Sequence, residues 1–233
     1  MTRLSRATLA GALAFLRLSP LPASADEPRL EQLADVNPDN DEVVGPPGLI
    51  PDCEARLEAA KVRYELAKLP LTRQAGGAIC GTQQAVIYRQ GPRGVRYGSA
   101  PVVSCGMALA LASFEHVLTD RALAVFGKRV VSVQQGGTYS CRKMARFSAL
   151  VSEHSYANAI DIKSFRLENG RVISVLRHFD ALPGRPEGEF LRTLASRLYD
   201  ERIFSVVLTE RFDPLHRDHF HLDLARYRVD GTR

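Results

Sequence analysis

No two of the four cysteines form a C-x-x-C pair, so the ligand spacing of a thiolate zinc site is missing. No H-E-x-x-H motif occurs, which removes the helix-borne arrangement of two zinc-binding histidines and a glutamate. There are no internal repeats and no nucleic-acid-binding motif, so no nucleic-acid partner is expected. Beyond the N-terminus no run is long and apolar enough to span a bilayer, and no lipobox cysteine follows the leader. A stable membrane anchor is therefore not expected.

What is there begins with a leader. Arg3 and Arg6 precede an apolar run from Ala7 to Leu16, and Ala23-Ser24-Ala25 offers small residues at a cleavage site, so residues 1–25 read as a secretory signal. Residues 26–47 carry a net charge of −6 among Pro, Asp and Asn, the composition of an acidic disordered leader. Residues 48–233 then form one domain, with a net charge of +8 once both leading segments are set aside. That surplus suits an anionic polymer, and equally serves solubility. Export to a secreted or periplasmic location makes disulfides the default. Cys53, Cys80, Cys105 and Cys141 then imply two bridges, with three pairings open.

Along the domain, Asp52 is placed to cap a short helix over CEARLEAA, and AVIYR at 85–89 reads as a strand. Ser104 precedes the clearest helix, which Gly127 should end, and the apolarity of its first half suggests burial. A strand over 129–135 follows, then a loop at 136–142. Residues 162–167 and RVISVL, joined by Glu168-Asn169-Gly170, form a hairpin, because Asn-Gly supplies positive φ angles. Phe190, Leu191, Leu194 and Leu198 mark a helix over 187–201 that faces a core, and FSVVLT and HFHLDL close the domain as strands. The expected class is a small α+β fold with helices flanking an antiparallel sheet.

Four of the six histidines lie in two segments, S152EHSYANAIDI162 and H216RDHFHLDL224. The remaining two read as structural, His116 inside the long helix and His178 in a loop after RVISVL. Strand alternation sends His219, His221 and Asp223 to one face, with Phe220, Leu222 and Leu224 on the other. Asp161 projects likewise from a run whose isoleucines face inward. A catalytic zinc takes three ligands from His and carboxylate and leaves a place for water, and His154, Asp161 and His221 would complete that set if their strands are neighbours. Two histidines and a carboxylate also make the facial triad of non-haem iron enzymes, but that triad usually uses a tight H-x-D or H-x-E pair, unlike the spacing of His154 and Asp161.

Ser152, His154, Ala159 and Asp161 stand in register with the S-x-H-x-x-G-x-A-x-D pattern of the peptidoglycan zinc peptidases of the LAS type, which include D-alanyl-D-alanine carboxypeptidases and L-alanyl-D-glutamate endopeptidases. Ala157 stands where glycine is usual, which costs backbone freedom and bears on fine geometry more than on metal binding. In that group the last histidine ligand follows an acid at minus three or a histidine at minus two, and Asp218 and His219 occupy both places before His221. Through CGMALALA, GTYSCR, SEHSYANAIDI and HRDHFH, the region from Cys53 to Leu224 also resembles the bacterial extensin-like C-terminal domain family.

The resemblance implies an LAS-type fold holding one zinc ion and an exported peptidase acting on peptidoglycan or its peptide stems. His219 is the first choice of catalytic base, because it shares a face with His221, and Asp218 the second. Arg142, in a loop similar to a substrate-binding segment of the peptidases, could bind a carboxylate, or be a surface arginine beside a disulfide. Ser152 could orient a ligand, and Tyr139 is a lesser candidate. The other reading is a non-catalytic wall-binding or structural module that keeps the peptidase fold.

Overall fold

The computed structural model describes residues 45–233, so the expected signal and all but the last three residues of the acidic leader lie outside the described residues. The domain opens with helix α1 (Cys53–Ala59) and two long strands, β1 (Arg63–Arg73) and β2 (Ile79–Gln90). Short strands β3 (Arg96–Tyr97) and β4 (Val102–Ser104) lead into α2 (Cys105–Phe126) and β5 (Val130–Gly137). After an irregular loop come a 3-10 turn (Glu153–Tyr156), β6 (Ala159–Leu167), β7 (Val172–Ser174), α3 (Val175–His178) and α4 (Pro186–Asp200). The chain ends with β8 (Val206–Leu208), a second 3-10 turn (Pro214–His216), β9 (Phe220–Asp223) and β10 (Val229–Gly231).

These strands build two sheets, one of order β1-β2-β4 and one of order β10-β8-β9-β6-β5-β3 with β7 paired to β6. Pairing is antiparallel except at two short edges, β3 with β5 and β10 with β8. The fold is thus α+β on open sheets, as the pattern of strand and helix signals implies.

Helix α2 starts where the sequence places it, because the Ser104 hydroxyl accepts from the Met107 amide at 3.2 Å, and it stops at Gly127, which takes φ 60°. It buries Met107, Leu111, Phe114 and Leu118, while α4 buries the expected Phe190, Leu191, Leu194 and Leu198. Both helices contribute to the core on one face of the larger sheet, where Phe165 of β6 meets Phe190 with ring centres 5.6 Å apart. The opposite face of that sheet is left to polar side chains, the division expected of an antiparallel sheet with one covered face.

Several details depart from the sequence reading. Asp52 makes no side-chain capping bond, and its backbone is left-handed (φ 53°) where a capping residue is normally extended. Strand β1 gives no sequence signal: it is charged, carries Pro70 and is largely exposed, as only an edge strand can be. RVISVL is half strand and half helix, so His178 ends α3 instead of lying in a loop, and its Nδ1 accepts from the Ser174 amide at 3.0 Å. Strand β10 is also unsignalled, because its three residues gain order only by pairing with β8.

The four cysteines form Cys53–Cys105, joining α1 to the start of α2, and Cys80–Cys141, joining β2 to the loop before the first 3-10 turn. The first closes a separation of 52 residues, long enough to restrict the unfolded chain substantially. Replacing Cys53 and Cys105 together by alanine should cost about 2–5 kcal/mol, read as a lowered urea midpoint with a steeper slope, because the unfolded chain is then less restricted.

Candidate metal centre

Asp161 on β6 and His221 on β9 are direct partners in the antiparallel ladder, flanked by the pairs Ile160 with Leu222 and Ile162 with Phe220. Those four apolar side chains are fully buried, so alternation turns Asp161 and His221 together to the open face. The neighbouring strands needed for convergence are therefore present.

His154 arrives from the 3-10 turn just before β6. The chain reverses at Ala157, which adopts the left-handed conformation (φ 52°, ψ 31°) that glycine would take at no steric cost. Asn158 secures the reversal: its amide donates to Glu153 Oε2 at 2.7 Å and to the Leu224 carbonyl at 3.2 Å, and its oxygen accepts from the Ser104 hydroxyl at 2.9 Å.

Three potential ligand atoms meet as a result. His154 Nε2 lies 3.2 Å from Asp161 Oδ1 and 3.2 Å from His221 Nδ1, and His221 Nδ1 lies 3.1 Å from Asp161 Oδ1. Ligands placed tetrahedrally at zinc–nitrogen or zinc–oxygen distances stand roughly 3.3 Å apart, so this near-equilateral triangle suits such an ion. Each imidazole is also held from behind. His154 Nδ1 faces the Thr138 carbonyl at 3.3 Å, and His221 Nε2 faces Asp223 Oδ2 at 2.9 Å, the arrangement that fixes tautomer and ring orientation in metal sites.

The electrostatics favour positive charge at this point. Burial pulls the His221 pKa down, but its bonds to Asp161 and Asp223 outweigh that and raise it to about 10. Burial raises Asp161, yet the bonds from both histidines hold it well below the usual carboxylate range. Glu153 is pushed up to about 8 by burial and by the charge of Asp223, so it is mainly neutral at pH 7.

Residues 51–232 match the family model for the extensin-like protein C-terminus. The chain belongs to this family. No curated protein and no solved structure matches it. The likeness of this extensin-like domain to the zinc peptidases thus rests on its motif.

Beside the triangle opens a cavity of about 280 Å³. Arg142, Ser152, His219 and His221 all line it, whereas Tyr139 does not and stands exposed. His219 Nε2 is 3.6 Å from Asp161 Oδ1, and its Nδ1 bonds Asp218 Oδ1 at 2.7 Å. Asp218 itself turns outward to Lys163, 3.3 Å away, so the two candidate bases form one ordered pair with His219 on the cavity side. Ser152 supplies no hydrogen bond to any of the three, and the orienting positions belong to Thr138 and Asp223 instead.

Residues without an expected role complete the wall. His216 donates through Nδ1 to Asp213 Oδ1 (2.7 Å), and Arg146 lies 3.6 Å from the same carboxylate. Burial lowers the His216 pKa against the opposing pull of Asp213. The spacing of Asp213 and His216 was the available signal for that pair, as the alternation in H-L-D was for Asp223.

The left-handed alanine gives a direct test of this geometry. Ala157→Gly should leave stability unchanged or raise it by up to about 1 kcal/mol, since the relieved strain is opposed by glycine's greater freedom when unfolded. Ala157→Val should lose more than about 2 kcal/mol, because a branched side chain cannot adopt this φ in a filled site. Urea unfolding of the two variants beside the parent checks both.

Proposed function

We propose that the domain is an exported zinc-dependent peptidase acting on the peptide part of cell-wall peptidoglycan. The observation that carries the reading is the triangle of His154, Asp161 and His221, its edges 3.1–3.2 Å and both imidazoles anchored, opening onto a cavity with two further histidines, His216 and His219. His154, Asp161 and His221 would hold the ion. Bound there, zinc would polarise the scissile amide carbonyl and lower the pKa of the attacking water.

The chain's own groups account for the rest. His219 takes the proton from the water at Nε2, the Asp218 carboxylate on its Nδ1 steadies the imidazolium that results, and the proton then passes to the leaving amine as the amide C–N bond breaks. His216, fixed by Asp213, offers its remaining nitrogen toward the cavity as a hydrogen-bonding group for the substrate amide. Arg142 and Arg146 line the same cavity and suit a free carboxylate of a peptide stem through their planar forks. Leu208, Phe212, Leu215 and Tyr227 give the cavity an apolar side that can exclude water from the reacting groups. Two disulfides and the signal-like leader support export, where peptidoglycan would be met.

Elemental analysis of refolded, oxidised residues 26–233 should find about one zinc per chain, and none in His221→Ala. Asp223→Ala should keep the site but weaken zinc binding about 10–100-fold in a chelator competition. His219→Ala should retain stoichiometric zinc while cleavage of muropeptides falls about 10²–10⁴-fold. A folded chain without zinc would turn the reading toward a non-catalytic wall-binding module, and iron in place of zinc would exclude this chemistry.

A further inference from the structure

The open face of the larger sheet does not end at the metal centre. Strand β6 carries a bulge at Lys163: Gln135 pairs with Ile162 and Gln134 with Ser164, so Lys163 is the extra residue. Before it, Ile160 and Ile162 are buried while Asp161 faces out. After it, Phe165 and Leu167 are buried while Ser164 and Arg166 face out. A regular strand presenting Asp161 would have turned Ser164 and Arg166 into the core. The bulge therefore sets a second group of polar residues on the same face as the candidate ligands.

Those residues line up across four strands. Arg96 pairs with Ser132, Ser132 with Arg166 and Arg166 with Val172, and the next row runs Gln134, Ser164, Ser174. Directly paired residues share a face. Of these, Arg96, Ser132, Gln134, Ser164, Arg166 and Val172 line a trough of about 490 Å³. It has no carboxylate in its lining, and it holds two guanidinium groups. Arg96 makes no ion pair among the described residues, and Arg166 bonds only the Gly170 carbonyl, at 3.4 Å. Lys163, between trough and metal centre, is neutralised by Asp218. From Asp161 to Arg166 the strand runs roughly 17 Å, room for an extended chain of about five residues.

The geometry points to this trough as a binding site for a carboxylate-bearing polymer strand, running along β5 and β6 away from the metal centre. Hydroxyl, amide and guanidinium groups at successive strand positions can bond such a strand along its length, and the unpaired arginines select carboxylates. In the context of the proposed function, the strand is the part of the wall polymer remote from the bond that is cut. Binding there does not need the metal.

Co-sedimentation of the oxidised mature chain with insoluble peptidoglycan tests this. The parent should sediment with it, and Arg96→Glu/Arg166→Glu should lower the bound fraction at least about tenfold. Gln134→Glu, which puts one carboxylate on the trough floor and leaves both arginines in place, should lower it too. Amidating the peptidoglycan carboxylates should abolish the parent's binding, and His221→Ala should bind like the parent. Parental sedimentation by the double variant, or none by the parent, would overturn the trough. Loss of zinc and turnover with this binding pattern intact would strike only the peptidase reading. Intact zinc and turnover with no effect of charge reversal would strike only the trough.

Discussion

Asp161 and His221 sit opposite each other because the hydrophobic core fixes the register of β6 against β9. The same alignment that buries Ile160, Ile162, Phe220 and Leu222 leaves the two polar residues adjacent on the other face. Side chains on a strand alternate, so a slip of one residue would bury both polar groups and expose four apolar ones. Packing energy thus specifies a polar site that contributes nothing to it. His154 then needs only a tight reversal to reach them. The left-handed turn at Ala157 supplies it at a cost of roughly 1–2 kcal/mol. Hydrogen bonds from the Ser104 amide to the Ala157 carbonyl and through Asn158 hold the turn in place.

Gathering acidic groups beneath this site carries its own penalty. Asp161, Asp223 and Glu153 lie close together in partly or fully buried positions, where like charges repel strongly. The molecule resolves the conflict by keeping Glu153 mainly neutral at pH 7 and by aiming Asp161 and Asp223 at the two nitrogens of His221. Two carboxylates then converge on one imidazole. That is more negative charge than a structural histidine requires, and it is complementary to a cation at the centre of the triangle.

The sequence showed these groups in proportion to how local their causes are. Helices α2 and α4 were legible because capping and periodicity are properties of neighbours in the chain, and the pairing face of β9 was legible from alternation. The choice of His219 over Asp218 for the cavity side followed from the same alternation. Strands β1 and β10 were not legible, because their order comes from partners distant in sequence. The disulfide pairing was equally closed to inspection, since nothing in cysteine spacing encodes which segments the fold brings together. Thr138 could not have been found either: it acts through its carbonyl, which every residue has.

The loop from 138 to 152 shows why the second disulfide belongs to the site more than to the core. It has little regular structure beyond one bridge between Lys143 and Val151, yet it supplies Arg142, Met144, Ala145 and Arg146 to the cavity wall. At its start the Thr138 carbonyl faces His154, and Ser155 binds the carbonyls of Ser140 and Arg142. Cys141 lies among these contacts and is tied to β2, in the other sheet. The bond therefore ties an irregular part of the cavity wall to a strand of the other sheet. Breaking it would leave the pairing of β6 with β9 intact while freeing the segment that carries Arg142 and follows the Thr138 carbonyl, so the parts of the candidate site are held by different bonds of the fold.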